Sequence, residues 1–264
     1  MRRDNSKETL FAVDIGNTNI SCGVYLDGEM AWFGRLFSST QRTADEYYSL
    51  LCPLLDRVPE MEISHIVFAS VVPELTKIWQ RLFQKYIPVP VTQINALSKL
   101  GLSFHVADPS FIGADLIANA FGAWKKYGTN CIIIDLGTAT KIQLVSETGQ
   151  FEGTAIAPGL KTGAEQLASK AAQLSQVEIA TPSALLGTKT RDSMLAGIVH
   201  GHAFMLEAYI RKVKEQYCAG KKVVTVITGG IAELLVPLIP SIDVLDKTLT
   251  LDGLHLAFRQ LSRK

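Results

Sequence analysis

Long apolar runs are absent from this chain: no window approaches the roughly eighteen uncharged apolar residues that a membrane helix needs. Cysteine is scarce as well. The four that occur, Cys22, Cys52, Cys131 and Cys218, lie far apart with no C-x-x-C spacing, which argues against a zinc site and against a disulfide framework. Neither sign of charge dominates, since 26 Lys and Arg stand against 25 Asp and Glu, interspersed, for a net charge of +1. Such a surface has no basic field to draw nucleic acid or an anionic membrane, so any bound anion must be held locally. Two familiar phosphate loops are also missing, because neither G-x-x-x-x-G-K-[ST] nor G-x-G-x-x-G occurs. Ahead of Asp14 the chain has two arginines but no apolar segment of the secretory kind, and the expectation is a soluble, cytoplasmic protein.

What is present is a core-forming composition, 47% hydrophobic over 264 residues, enough for one or two domains. Phe11 to Val13 and Ile20 to Tyr25 read as a hairpin about a Gly-Asn-Thr-Asn turn, with Met30 to Phe37 as a third strand. Helical spacing follows over Thr43 to Leu55, where Pro53 is expected to end or distort the helix. A strand over His65 to Val72, a helix over Glu74 to Tyr86, a strand over Val91 to Ile94 and a helix over Ile112 to Lys126 come next. Then the opening order returns. Cys131 to Ile134, Ile142 to Val145 and Gly149 to Ala157 read as three strands, followed by helices over Gly163 to Leu174 and Asp192 to Gln216 and a strand over Val223 to Thr228. A short helix near Ile231 to Leu235, a strand over Ile242 to Val244 and a helix over Thr250 to Leu261 close the chain. The recurrence is one of element order, not of residue identity, and it predicts an α/β protein of two halves, 1–125 and 126–264.

Each half places the same chemistry at the end of its first strand. In Asp14-Ile15-Gly16-Asn17-Thr18-Asn19, the glycine allows a tight turn and a close backbone approach, Asn17 and Thr18 offer donors to phosphate oxygens, and Asp14 can hold Mg²⁺ through water. Asp135-Leu136-Gly137-Thr138-Ala139-Thr140 repeats the pattern. One Asp-x-Gly hairpin is an ordinary turn; two, each opening a three-stranded meander, predict facing domains that clamp a nucleoside triphosphate. Gly229-Gly230 after a strand suits close approach to the adenosine end. His200 and His202, two apart on a helix, point to different faces and do not read as metal ligands. Trp79 and Trp124, at apolar helical positions, read as core or interface.

These hairpins resemble the phosphate motifs of the acetate and sugar kinase, heat-shock chaperone and actin superfamily. More closely, the chain resembles the type III pantothenate kinases. The resemblance runs from about Leu10 to Leu261 and is carried by DIGNTNI, SVVP at Ser70 to Pro73, GADLIAN at Gly113 to Asn119, DLGTAT at Asp135 to Thr140, AIAPGL at Ala155 to Leu160, ITGG at Ile227 to Gly230 and LTLDGL at Leu249 to Leu254. It implies two ribonuclease H-like domains, duplicated βββαβαβα-type halves with a nucleotide cleft between them, and ATP-dependent phosphorylation of pantothenate at the first step of coenzyme A synthesis. It implies that Asp14, Ile15, Gly16, Asn17, Thr18, Asn19, Ile20, Ser21 and Thr138 bind ATP. Gly113, Ala114, Asp115, Leu116 and Thr190 fall on substrate-binding positions, with Asp115 as the general base. Asp135 falls on a monovalent-cation ligand, implying K⁺ or NH₄⁺ beside Mg²⁺, and Thr190 on a residue that acts from a partner subunit, implying a homodimer.

The chain departs from the family pattern at a few places. Leu116 stands where an arginine follows the catalytic aspartate, and Val106 where a tyrosine precedes the motif. Lys141 and Gln143 replace a threonine and an aspartate after the second hairpin, and Lys189 replaces an asparagine before Thr190. A leucine cannot hold a carboxylate as the planar guanidinium does. Two functional classes follow: an active kinase, or a homologue that binds nucleotide but has lost or changed its acceptor and serves as an accessory or regulatory protein.

Overall fold

In the computed structural model, residues 8–56, 62–106, 108–171 and 174–263 are described. The chain opens with β1 (Thr9–Ile15), β2 (Asn19–Leu26) and β3 (Glu29–Phe37), an antiparallel meander whose second turn, Asp27-Gly28, has positive φ at both residues, 51° and 94°. That geometry matches the right-handed twist of a hairpin and explains the Asp-Gly pair. Helix α1 (Ala44–Leu55) starts at a capping box in which the Glu46 N–H donates to Thr43 Oγ1 and the Thr43 N–H to Glu46 Oε2, at 3.3 and 2.7 Å. Pro53 does not end α1, because it falls in the last turn, where its missing N–H costs a single bond.

Strand β4 (His65–Ser70) leads into α2 (Pro73–Tyr86), so the proline that stops the strand also begins the helix, where no N–H is needed. After β5 (Val91–Gln93) comes β6 (Ser103–Phe104), a two-residue strand that the sequence pattern did not reveal, then a 3₁₀ turn at Pro109–Phe111 and α3 (Ala114–Tyr127). The second meander is β7 (Asn130–Leu136), β8 (Ala139–Val145) and β9 (Gln150–Pro158), followed by α4 (Leu160–Lys170). α4 begins three residues before the expected Gly163. The single helix expected over Asp192 to Gln216 is α5 (Thr190–Leu195) and α6 (Gly201–Tyr217) joined by a π-type turn at Ala196–His200. β10 (Val223–Gly229), α7 (Ala232–Leu235), β11 (Val244–Leu245) and α8 (Leu249–Ser262) complete the order.

The two sheets share one topology. The first runs β3-β2-β1-β4-β5 and the second β9-β8-β7-β10-β11, with β6 added parallel at the β9 edge. In both, an antiparallel meander is extended by two parallel strands, the ribonuclease H-like plan that the family resemblance implied. By contacts, one compact unit takes the described chain up to Gly101, then 108–122, and everything from Leu249 onward; the other takes 102–106 and 123–248. A linear division at 125/126 would have put α8 in the second half. Glycine explains its placement: a Cβ on Gly253 would fall 2.0 Å from the Ala118 carbonyl oxygen, so α8 packs backbone to backbone on α3. Asn119 secures the same contact by accepting the Thr250 hydroxyl at 2.7 Å.

The core of the first unit holds Trp79, Tyr47, Phe11, Phe68 and Phe83, all essentially buried; that of the second is aliphatic, with Ile132, Ile134, Leu206, Ile210 and Ile227. Trp124 is half-buried in the second unit, its indole N–H donating to the Glu147 carbonyl at 3.0 Å. All four cysteines are free thiols. Among the described residues no helix is long and apolar enough to cross a membrane.

Candidate active site

Asp14 is half-buried near the end of β1, opposite Ser21 across the hairpin. Burial, and next the negative charge of Asp14, push the neighbouring Cys22 thiol far above its ordinary range, so that thiol is inert. The turn beyond Asp14 is closed by Gly16 N–H donating to Asn19 O at 3.0 Å and stapled from outside by Ser38, just past β3. The Ser38 N–H donates to Thr18 O at 2.9 Å and its hydroxyl to Gly16 O at 2.6 Å. Asn17 and Asn19 remain exposed, available to a ligand.

The second hairpin is built the same way. Gly137 N–H donates to Ala139 O, and Gly159, just past β9, donates its N–H to Thr138 O at 3.0 Å. The Thr162 hydroxyl adds a bond to the same carbonyl at 2.8 Å. Ser38 and Gly159 thus hold equivalent places, each following the third strand of its meander. Ser38 was not singled out in the sequence; only the duplication could have pointed to it. Gly229, the last residue of β10, has φ of 103°, and a Cβ there would lie 2.4 Å from Leu136 O, so the glycine is required by β7 as well as by the turn.

Asp135 is mostly buried and faces Lys141 directly across the β7–β8 ladder. The Lys141 ammonium donates to Asp135 Oδ2 at 2.9 Å, with only 19% and 16% of the two side chains exposed. One residue earlier on β8, and so on the other face of the sheet, the Thr140 hydroxyl is 2.8 Å from His202 Nε2, and burial holds the His202 imidazole below its usual range, in the neutral form. Among the described residues no three of His, Cys, Asp and Glu cluster as a metal site would require.

In the first unit, Asp115 lies in the first turn of α3, where the Leu116 N–H donates to its Oδ1 at 2.8 Å. Gly113 makes room for that carboxylate: a Cβ at Gly113 would fall 2.5 Å from Asp115 Oδ1. Gly113 and Ala114 also line an open cavity of about 560 Å³, with Ser70, Thr76, Gln93, Asn95 and Phe111 on its other walls. The wall residues between β4 and β5 carry no sequence motif beyond SVVP, so the sequence did not reveal them. Leu116 turns into the core, 5% exposed, and Val106 is half-buried. Thr190 begins α5 in the second unit and is exposed, as is Lys189 before it.

The family model described as type III pantothenate kinase matches residues 10–212. A type III pantothenate kinase of Halalkalibacterium halodurans is 37% identical over 253 residues, 95% of this chain and 99% of that protein. Among solved structures, a ROK family glucokinase from Streptomyces griseus in complex with glucose and AMPPNP matches with a TM-score of 0.56 and 13% identity, covering 95% of this chain and 99% of that one. The activator of the 2-hydroxyisocaproyl-CoA dehydratase from Clostridium difficile, with bound ADPNP, matches with a TM-score of 0.54 and 12% identity, over 97% of this chain and 96% of that one. At such identities the two structures speak for the fold.

Proposed function

The chain belongs to the type III pantothenate kinase family, and from that premise we propose that it transfers the γ-phosphoryl group of ATP to the primary hydroxyl of pantothenate. The product is 4′-phosphopantothenate, and the step is the first of coenzyme A synthesis. The observation that carries the reading is the placement of Asp115 immediately after two residues that line an open cavity, in the same compact unit as the DIGNTN turn. Asp115 accepts the hydroxyl proton as the oxygen attacks the γ-phosphorus and the bridging P–O bond to ADP breaks. The α3 N-terminus orients that carboxylate through the Leu116 N–H.

Asp14 to Ser21 and Thr138 bind ATP in this reading, and Gly113 to Leu116 meet pantothenate. Asp14 and Thr18 are hard oxygen donors of the kind Mg²⁺ accepts beside water and phosphate oxygens, and the ion, when bound, neutralises phosphate charge. Thr190 serves the substrate of the other protomer in a homodimer, which accords with its exposure. The compartment proposed is the cytoplasm. The monovalent cation expected at Asp135 does not fit the residues present, because that carboxylate already holds the Lys141 ammonium.

One observation favours the accessory reading: the arginine position of the family is a leucine turned into the core, so no guanidinium is available to grip a carboxylate there. A coupled assay of ADP release with and without pantothenate separates the two readings. Pantothenate-dependent turnover supports the kinase, and Asp115→Asn should lower kcat by about 10²–10⁴-fold with nucleotide binding retained. Nucleotide binding without turnover would support the accessory reading instead.

A further inference from the structure

We infer that the Lys141 ammonium is the resident cation at Asp135, making this chain independent of the K⁺ or NH₄⁺ that its family resemblance implies. The inference rests on the kinase reading for its catalytic consequence only. Asp135 and Lys141 are register partners in β7 and β8, so both side chains leave the sheet on one face, and the ammonium reaches Oδ2 at 2.9 Å. Four-fifths of each side chain is shielded from solvent, so this is not a solvated surface pair that water or salt would loosen.

The substitution replaces one monovalent cation by another. A site that accepts K⁺ or NH₄⁺ recognises a monovalent cation by oxygen donors, and a lysine head group is an ammonium tethered to the chain. Tethering supplies it at high effective concentration, without recruitment from solution. A free cation brought to the same carboxylate would stand within about 4–6 Å of the ammonium, where like charges exclude one another.

The second replacement points the same way. Gln143 follows on the same face of β8, opposite Ile133, and is 2% exposed. The family pattern places a threonine and an aspartate at positions 141 and 143, and this chain has lysine and glutamine. One acid is removed and one base added, so Asp135, Lys141 and Gln143 together carry no net negative charge with which to attract an ion. The two changes are chemically matched: with the internal cation present, a second buried carboxylate would be surplus.

The test compares the full-length protein in choline chloride, KCl and NH₄Cl at equal ionic strength. Wild-type turnover should agree within about twofold across the three salts, and its thermal midpoint should not distinguish K⁺ from choline. Lys141→Thr should lose at least tenfold of its turnover in choline and regain it in KCl or NH₄Cl, and its midpoint should rise with K⁺. Lys141→Thr combined with Gln143→Asp should show the same K⁺ response more strongly. Tenfold activation of the wild type by K⁺, or a K⁺-specific rise in its midpoint, would overturn the inference. Undiminished turnover of Lys141→Thr in choline would do so too. The wild-type melting comparison requires neither a folded variant nor any turnover, so a failure of the kinase reading stays distinguishable from a failure of this one.

Discussion

Gly159 has no side chain because two carbonyls occupy the space. A Cβ there would fall 2.3 Å from Gly137 O and 2.7 Å from Thr138 O, both backbone atoms that cannot swing aside. Its φ of −68° is open to any residue, so the constraint is volume and not conformation. Gly159→Ala is therefore expected to displace the turn that carries Thr138, destabilising the fold by about 1–3 kcal/mol and raising KM for ATP more than it lowers kcat. Thermal melting and steady-state kinetics measure the two effects. Gly163→Ala, one turn later in α4 with nothing within 4 Å of the added carbon, is the control and should leave the kinetics unchanged while raising the melting midpoint slightly, as alanine replaces glycine inside a helix. At this scale the sequence was informative about chemistry and silent about support. Asp14 and Asp135 were proposed from their hairpin motifs and Asp115 from the family resemblance, whereas Ser38, whose hydroxyl staples Gly16, belongs to an unremarkable Ser-Ser pair. Its role depends on a partner twenty-two residues away, and no local pattern records that.

The elements were legible wherever a period marked them. Alternation and helical spacing gave the two meanders, α1, α2 and α3 to within a few residues, while the two-residue β6 carried too little pattern to stand out. The helix expected over Asp192 to Gln216 was continuous in its apolar spacing, yet its π-type turn at Ala196–His200 shifts the faces, and only the structure tells which face stays uncovered. Gly197, Gly201, Phe204 and Ala208 are exposed along that segment, and Phe204 leaves 59% of its surface in water, its ring stacked on His200 at 6.1 Å. Small residues beside an exposed aromatic suit close helix packing, and the proposed homodimer would cover them. Phe204→Glu should then shift the protein from dimer to monomer in sedimentation equilibrium, with turnover falling in step if, as proposed, Thr190 serves the other protomer. A variant that remains dimeric would remove this face from the interface.

Across the whole chain, the duplication was readable because both halves repeat the same element order, whereas the place of α8 was not. Gly253 and Ala118 are far apart in sequence, and a contact between them leaves no period to find. Both units should share a response to acid that their histidines dictate. In the first, His65 is held below its usual range by burial, and His255 by burial and then by the Arg259 charge, its ring stacked on Tyr25. In the second, burial does the same to His202. A histidine whose folded pKa is depressed binds its proton more readily when the chain unfolds, so stability rises with pH wherever the unfolded chain holds more protons. Stability should accordingly be full above the unfolded value of about 6.5 and fall as pH drops from there toward the lower folded values. The lowered carboxylates of Asp45, Glu46 and Asp108 begin to lose their contribution only as pH nears the unfolded acid range of about 4, so they leave the interval from 7 to 5 to the histidines. Melting midpoints at pH 7.5, 6 and 5 should descend, and His202→Gln, which keeps an amide beside the Thr140 hydroxyl, should shallow the descent. A midpoint that is level or rising between pH 7 and 5 would show that these imidazoles are protonated in the folded chain.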